Sequence, residues 1–367
     1  MSSKRRVAKV EFLRLLGCII VVATHCNQMV IVEGESEWLH ALRYCLLADG
    51  VVFFWMITGF FVFNSSDYIS KWKSVITKIV IPTFLLYVLG YFLQNFLYTN
   101  DSFFAGRGIA DFFNFLSPIA QAKTPDIVVL NHTWYILAYI LVMLFLPIVK
   151  IFTDWLDKGV VRQIVFLVVV FALWLTNDIM HNDLLNLEFS GLKVVLAAYV
   201  LIIWGHIIYQ NRTIFNNKLW AIPAIIVLIV TIIIRCKFYI YSESVGVENA
   251  FYTMWWTTAF SILIVTCVAV LVFSLMKEKD NGFSRVVCYL ASCSFGIYLL
   301  HPFIVETFRK YDLFAAFTKM LGDNSYVAVI VSLLISLIVV FLLTFVVVVI
   351  IKSVKGLVKK VFRRNIK

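Results

Sequence analysis

The chain has 367 residues, of which 62% are hydrophobic and only 14% charged. A water-soluble domain is nearer one half apolar and one quarter charged, so the composition excludes a soluble enzyme or binding module and points to a membrane protein that crosses the bilayer many times. The net charge of +11 does not mark a nucleic-acid binder, because the basic residues fall in the pattern that orients membrane spans.

Ten apolar stretches read as membrane-crossing helices, at roughly 10–32, 44–63, 75–98, 127–149, 160–176, 191–209, 219–240, 252–276, 286–306 and 326–351. The expected fold class is therefore all-α, a polytopic membrane helical bundle of about ten transmembrane helices. Residues 1–351 are expected to form a single transmembrane domain and 352–367 a basic cytoplasmic tail. The opening segment MSSKRR is basic and predicts a cytoplasmic N-terminus. No cleavable signal peptide is evident, since the first apolar run is too long for a signal core and no small-residue cleavage site follows it.

Alternation from a cytoplasmic N-terminus places Lys4, Arg5, Arg6, Lys9, Lys71, Lys73, Lys78, Lys150, Lys158, Arg162, Arg212, Lys218, Lys277, Lys279 and Arg285 on the inside, with Lys352, Lys355, Lys359, Lys360, Arg363, Arg364 and Lys367 in the tail. These are the larger share of the 32 basic residues. Glu33, Glu35, Glu37, Asp178, Asp183, Glu188, Glu243 and Glu248 fall outside. A missed or extra span would scramble this bias, so it supports both the count and the orientation, with both termini cytoplasmic.

The first span contains EFLRLLGCIIVVATH, and with it Glu11, Arg14 and His25. Ionisable residues in a span are costly and mark function by default. Arg14 and His25 are eleven residues apart, so they lie within ~20° of one helical face and ~16 Å apart along the axis. A fixed cation near one membrane surface and a titratable imidazole toward the other suit a reaction whose two substrates arrive from opposite sides. His25 can serve as a general base, or be a histidine hydrogen-bonded between helices. Arg14 can fork onto phosphate or carboxylate, or pair with Glu11 three residues earlier; both roles are compatible.

In the second span, CLLADGVVFFWMITGF places Asp49 in the outer half, either in a site or as partner to a donor on a neighbouring helix. Lys71, Lys73 and Lys78 follow in the second cytoplasmic loop, ahead of Pro82, and either hold phosphates or orient the span. The long outer loop 99–126 has an FF-NF-L spacing that could form a half-buried amphipathic or re-entrant segment. His132 and Trp134 open the fourth span, where tryptophan is commonly an interfacial belt residue. His206 is expected at the inner interface. His301, in SFGIYLLHP, lies at a depth like that of His25, so the two could share a site, although Pro302 suggests a helix break there instead. The tail KSVKGLVKKVFRRNIK suits anchoring on anionic lipid. The seven cysteines show no CxxC pair or disulfide framework and read as packing residues. No nucleophile elbow, Walker loop, HExxH or cysteine-based metal site is present.

Four stretches together resemble the acyltransferase-3 family of integral membrane O-acyltransferases, bacterial enzymes that acylate cell-envelope glycans. They are EFLRLLGCIIVVATH, with arginine, ten residues, then histidine; VVFFWMITGFFVF; HTWYILAYILVMLFLPIV; and SFGIYLLHPFI. The resemblance implies an acyl donor, acyl-CoA with acetyl-CoA foremost, arriving from the cytoplasm, and no metal. It implies an acceptor hydroxyl on an envelope polysaccharide or lipid-linked glycan, in the bacterial cytoplasmic (inner) membrane. His25 would deprotonate that hydroxyl, with Arg14 and Glu11 completing the catalytic group. Arg14, Lys71, Lys73 and Lys78 would hold the donor, and Asp49, His132, Trp134 and His301 would be substrate-binding.

Three departures stand out. Lysines in KWKSVITKIVIP replace the Arg-x-x-Arg pair of many members, Glu11 stands where the family usually has aspartate, and the fused extracytoplasmic SGNH-type domain of some members is not expected. Membrane lipids are expected partners, nucleic acid is not, and a homo-oligomer is compatible with the sequence. Succinyl or another acyl group is the alternative within the fold. A glycan or lipid transporter is the rival class, although no paired halves are found. A structural scaffold would leave Arg14 and His25 unexplained.

Overall fold

A computed structural model of the protein describes residues 7–30, 35–64, 67–98, 109–121, 123–125, 127–180, 190–245, 258–278, 281–320 and 326–365. Expectations for Lys4, Arg5, Arg6, Glu33, Asp183, Glu188, Glu248, Lys279 and Lys367, and for residues 99–108 of the outer loop, fall outside these, as do the side chains of Lys359, Lys360, Arg363 and Arg364. In chain order the helices are α1 (Ala8–Met29), α2 (Glu37–Leu47), α3 (Gly50–Val62), α4 (Tyr68–Val75), α5 (Ile81–Tyr98), α6 (Ile109–Leu116), α7 (Val128–Asn131), α8 (Trp134–Leu156), α9 (Val160–Met180), α10 (Ser190–Gln210), α11 (Ala221–Ser244), α12 (Ala259–Leu275), α13 (Gly282–Ala291), α14 (Ser294–Lys310), α15 (Leu313–Met320) and α16 (Tyr326–Asn365).

Among the described residues, seven helical stretches are long and apolar enough to cross a membrane, and the bent pair α13–α14 makes an eighth if it is one span. Two further apolar helices are shorter by that test, Val194–Gln210 within α10 and Ala259–Leu275, which is α12. The chain divides into two compact units, one of Ser36–Glu278 and one that joins Met1–Glu35 to Lys279–Lys367.

In the terminal unit, α1 packs against α13, α14 and α16. Its 22 residues extend about 33 Å, enough to cross the hydrocarbon. Leu13, Cys18, Val22 and Cys26 are buried at helical spacing. The Cys18 thiol donates to the Ser294 carbonyl at 3.6 Å. The chain bends by 57° between α13 and α14, at Ser292 and Cys293. Lys352 of α16 secures the bend, its Nζ donating to the Ser292 carbonyl at 2.8 Å and to Ser292 Oγ at 3.0 Å. An ammonium there satisfies orphan acceptors at the negative end of α13. Pro302 does not break its helix: it lies inside α14, where it removes one N–H donor while the buried Tyr298, His301 and Phe303 hold the turn. α16 runs unbroken through residue 352, so the expected domain edge is a change of composition along one helix.

In the central unit, α3 and α10 approach closely because each has a glycine at the crossing. A Cβ on Gly59 would overlap the Ile202 carbonyl oxygen, and one on Gly205 would overlap that of Met56. The second span is two helices, α2 and α3, interrupted at Ala48–Asp49 and starting earlier than expected. Lys71, Lys73 and Lys78 lie in helix, because α4, a π-helical turn over Ile76–Val80 and α5 run on without a gap. The three lysines therefore lie on helix rather than in the loop expected for them. α8 likewise continues past residue 149, so Lys150 is helical and paired with Asp154 at 2.6 Å. The seven cysteines are thiols rather than disulfides, and Cys45, Cys236 and Cys267 lie in apolar clusters.

Candidate functional site

The terminal unit brings three of the singled-out ionisable residues together along α1 and sets a fourth beside them. Glu11 is buried, and its Oε2 accepts a 2.6 Å hydrogen bond from Arg14 Nη1. The three-residue offset puts both side chains on one face. The Arg14 side chain keeps 30% exposure, against 8% for Glu11. Glu11 therefore fixes one arm of the guanidinium and leaves the rest of the fork toward accessible space. A planar fork held at one end is suited to a second, anionic partner.

Eleven residues on, His25 is half-buried. Its ring centroid is 4.9 Å from that of His301, with planes inclined by 58°. His301 has no exposed surface, and its Nδ1 lies 3.0 Å from the Ile297 carbonyl. Tyr298 flanks it, with ring centroids 6.2 Å apart. The arrangement provides two imidazoles at one level of an apolar bundle, ~16 Å along α1 from a cation. Chemically it can accept a proton at one end and orient an anionic group at the other.

The remaining residues singled out from sequence belong to the central unit. Asp49 is 1% exposed, and both its oxygens accept from Arg235 Nη1, at 3.1 and 2.9 Å. Arg235 also donates to the Cys45 carbonyl and to Ser261 Oγ, each at 3.2 Å. The carboxylate is thus matched to a donor on a neighbouring helix. Charge counting along the sequence puts Arg235 with the outer segments. The signal that could have found it is a charged residue inside the seventh apolar run.

Lys71 Nζ donates to the Val62 carbonyl at 2.6 Å and lies 4.8 Å from the Tyr68 ring centre, so it closes the end of α3. Lys73 and Lys78 are exposed. His132 is buried at the α7–α8 turn, and Trp134 is half-buried at the first residue of α8. Next to it, Tyr135 packs on Trp55 with centroids 4.4 Å apart, and Tyr139 lies 6.2 Å from the same indole. Trp55 is fully buried, and its N–H has no acceptor among the described residues. His206, expected at the inner interface, is buried within the protein at 2% exposure, and its Nε2 lies 3.0 Å from Asp157. Among the described residues, no group of three His, Cys, Asp or Glu side chains is placed to hold a metal ion.

An apolar helical protein with paired charges and paired imidazoles inside its spans belongs to the class of multi-pass membrane proteins with intramembrane polar sites. The acyltransferase-3 family model, described as an acyltransferase domain, matches residues 7–352. The chain belongs to that family of membrane acyltransferases. No curated protein and no solved structure matches it.

Proposed function

We propose that the protein moves an acyl group, acetyl foremost, from cytoplasmic acyl-CoA to a hydroxyl of an envelope polysaccharide or lipid-linked glycan. The observation that carries this reading is the half-buried His25, set against His301 on the same helix as the Glu11-bound Arg14. In the reaction His25 takes the proton from the acceptor hydroxyl. The oxygen attacks the thioester carbonyl, the C–S bond breaks, and the departing thiolate takes the proton back from His25. Arg14 holds an anionic part of the donor or the catalytic geometry. The exposed Lys73 and Lys78 are suited to donor phosphates, whereas Lys71 is engaged at the end of α3. Ten spans, both termini in the cytoplasm and residence in a bacterial cytoplasmic membrane complete the proposal. It is supported by the apolar helices and the charge bias.

The test uses purified protein in detergent, radiolabelled acetyl-CoA and an envelope-glycan extract, with His25→Ala beside wild type. Label is expected on glycan with wild type only. Donor binding without transfer directs the same assay to succinyl-CoA. If no acyl-CoA binds and the histidine variant behaves like wild type, the transferase reading fails and transport takes its place.

A further inference from the structure

The surroundings of His25 assign a task to the second imidazole. His301 Nδ1 lies 3.0 Å from the carbonyl oxygen of Ile297, one turn earlier in α14. A carbonyl oxygen only accepts, so Nδ1 carries the hydrogen, and in the neutral ring Nε2 is then the lone-pair nitrogen. The two ring centroids are 4.9 Å apart. Two imidazolium charges at that separation would repel by about 3 kcal/mol at an effective dielectric of 20. The pair therefore favours a single proton.

Of the polar groups on the helices of this unit, Thr24 donates to the Ile20 carbonyl, Glu306 pairs with Arg309, and Lys352 donates at the bend at Ser292. Tyr298 and the buried Cys26 are neutral neighbours. When His25 becomes cationic it lies within the ~6 Å over which an aromatic ring attracts a cation. A lone-pair nitrogen on that ring has the attracting sign, and an N–H in its place would have the repelling one.

We propose that His301, fixed by Ile297 as the Nδ1–H tautomer, is a positioning residue that stays neutral, orients the His25 ring and stabilises the imidazolium formed when the acceptor hydroxyl is deprotonated. The interaction is stronger in the transition state than in the resting enzyme, so it acts on turnover rather than on donor binding. His301 neither gains nor loses a proton. The hydroxyl proton passes to His25 and from there to the departing thiolate. The inference rests on the transferase reading above.

Two substitutions separate this role from packing. His301→Asn keeps a donor for the Ile297 carbonyl and loses the ε nitrogen. His301→Gln places an amide oxygen near the ε position and gives up the donor to Ile297. With labelled acetyl-CoA and the glycan extract, His301→Asn should lower turnover by about 100-fold and His301→Gln by about 10-fold, with acetyl-CoA binding unchanged in both. Near-full activity in His301→Asn with loss in His301→Gln would overturn the proposal.

A readout independent of turnover is nitrogen NMR of the full chain in detergent, with histidine rings labelled and His301 assigned by its loss in His301→Gln. A protonated Nδ1, a bare Nε2 and a displacement of the His301 signals in His25→Gln are expected. A protonated Nε2, or His301 signals indifferent to His25, would overturn the pairing even if wild type transfers label. If wild type moves no label from acetyl-CoA or succinyl-CoA, the transferase reading and the catalytic role of His301 fall together, while the spectrum still shows whether the two rings are coupled.

Discussion

Arg235 meets Asp49 in a 2.9 Å ion pair in which the arginine is 0% and the aspartate 1% exposed. A pair so deeply placed contributes little net stability, but removal of one member strands the other charge in an apolar bundle at a cost of about 3–5 kcal/mol. Arg235→Gln is therefore expected to unfold early or fail to accumulate. Adding Asp49→Asn to it should recover much of the loss, since no full charge then remains to be matched. Thermal unfolding of the three variants in detergent checks this. Additive losses in the double variant would show that the two residues act separately.

The same pair shows where sequence reasoning ends. That Arg14 and His25 share a face follows from helical periodicity, a property of one segment, and is legible in the amino-acid order alone. So is the common depth of His25 and His301, which needs only span direction and residue counts. The partner of Asp49 is not legible there, because Arg235 is 186 residues away and helix-to-helix proximity leaves no local pattern. Pro302 is a misleading signal for a different reason: its missing N–H is absorbed inside α14, while the actual bend at Ser292 and Cys293 has neither proline nor glycine. The partners of Lys71 and His206 are not legible either, because a lysine that donates to the carbonyl ending α3 and a histidine beside an aspartate carry, in sequence, only the positions of charges near span ends.

Glycine at two crossing points sets how closely α3 and α10 pack. With backbone carbonyls of Ile202 and Met56 where a methyl group would have to go, neither helix can yield by rotating a side chain. Gly59→Ala and Gly205→Ala are each expected to destabilise by on the order of 3 kcal/mol, seen as a lower unfolding temperature. Gly282→Ala is the control, because a Cβ there meets nothing within 4 Å. Equal stability of all three variants would show that the crossing is looser than this.

Lys352 secures the bend before α14 by donating to the Ser292 carbonyl, while its Nζ also lies 3.2 Å from Cys293 Sγ. Lys352→Met keeps the apolar stem and removes the donor. The expected loss is about 1 kcal/mol, because the contact with the Ser292 carbonyl is exposed and another donor can partly replace the ammonium. Because α14 carries His301, turnover should fall with it. Lys352→Arg should restore both, and a methionine variant indistinguishable from wild type in unfolding and turnover would remove the bend from the account.

Glu11 and Arg14 make separable predictions, because one orients and the other would touch the donor. Glu11 holds Arg14 through Nη1 at 2.6 Å, and among the described residues this is the guanidinium's one hydrogen bond. Arg14→Lys keeps the charge and removes the planar fork, so acetyl-CoA should bind about 10-fold more weakly. Glu11→Gln leaves the fork intact and less firmly aimed. It should lower kcat several-fold while changing donor affinity little. Donor titration against single-turnover rates resolves the two effects. Equal donor affinity in Arg14→Lys and wild type would confine Arg14 to the Glu11 ion pair and move donor recognition elsewhere.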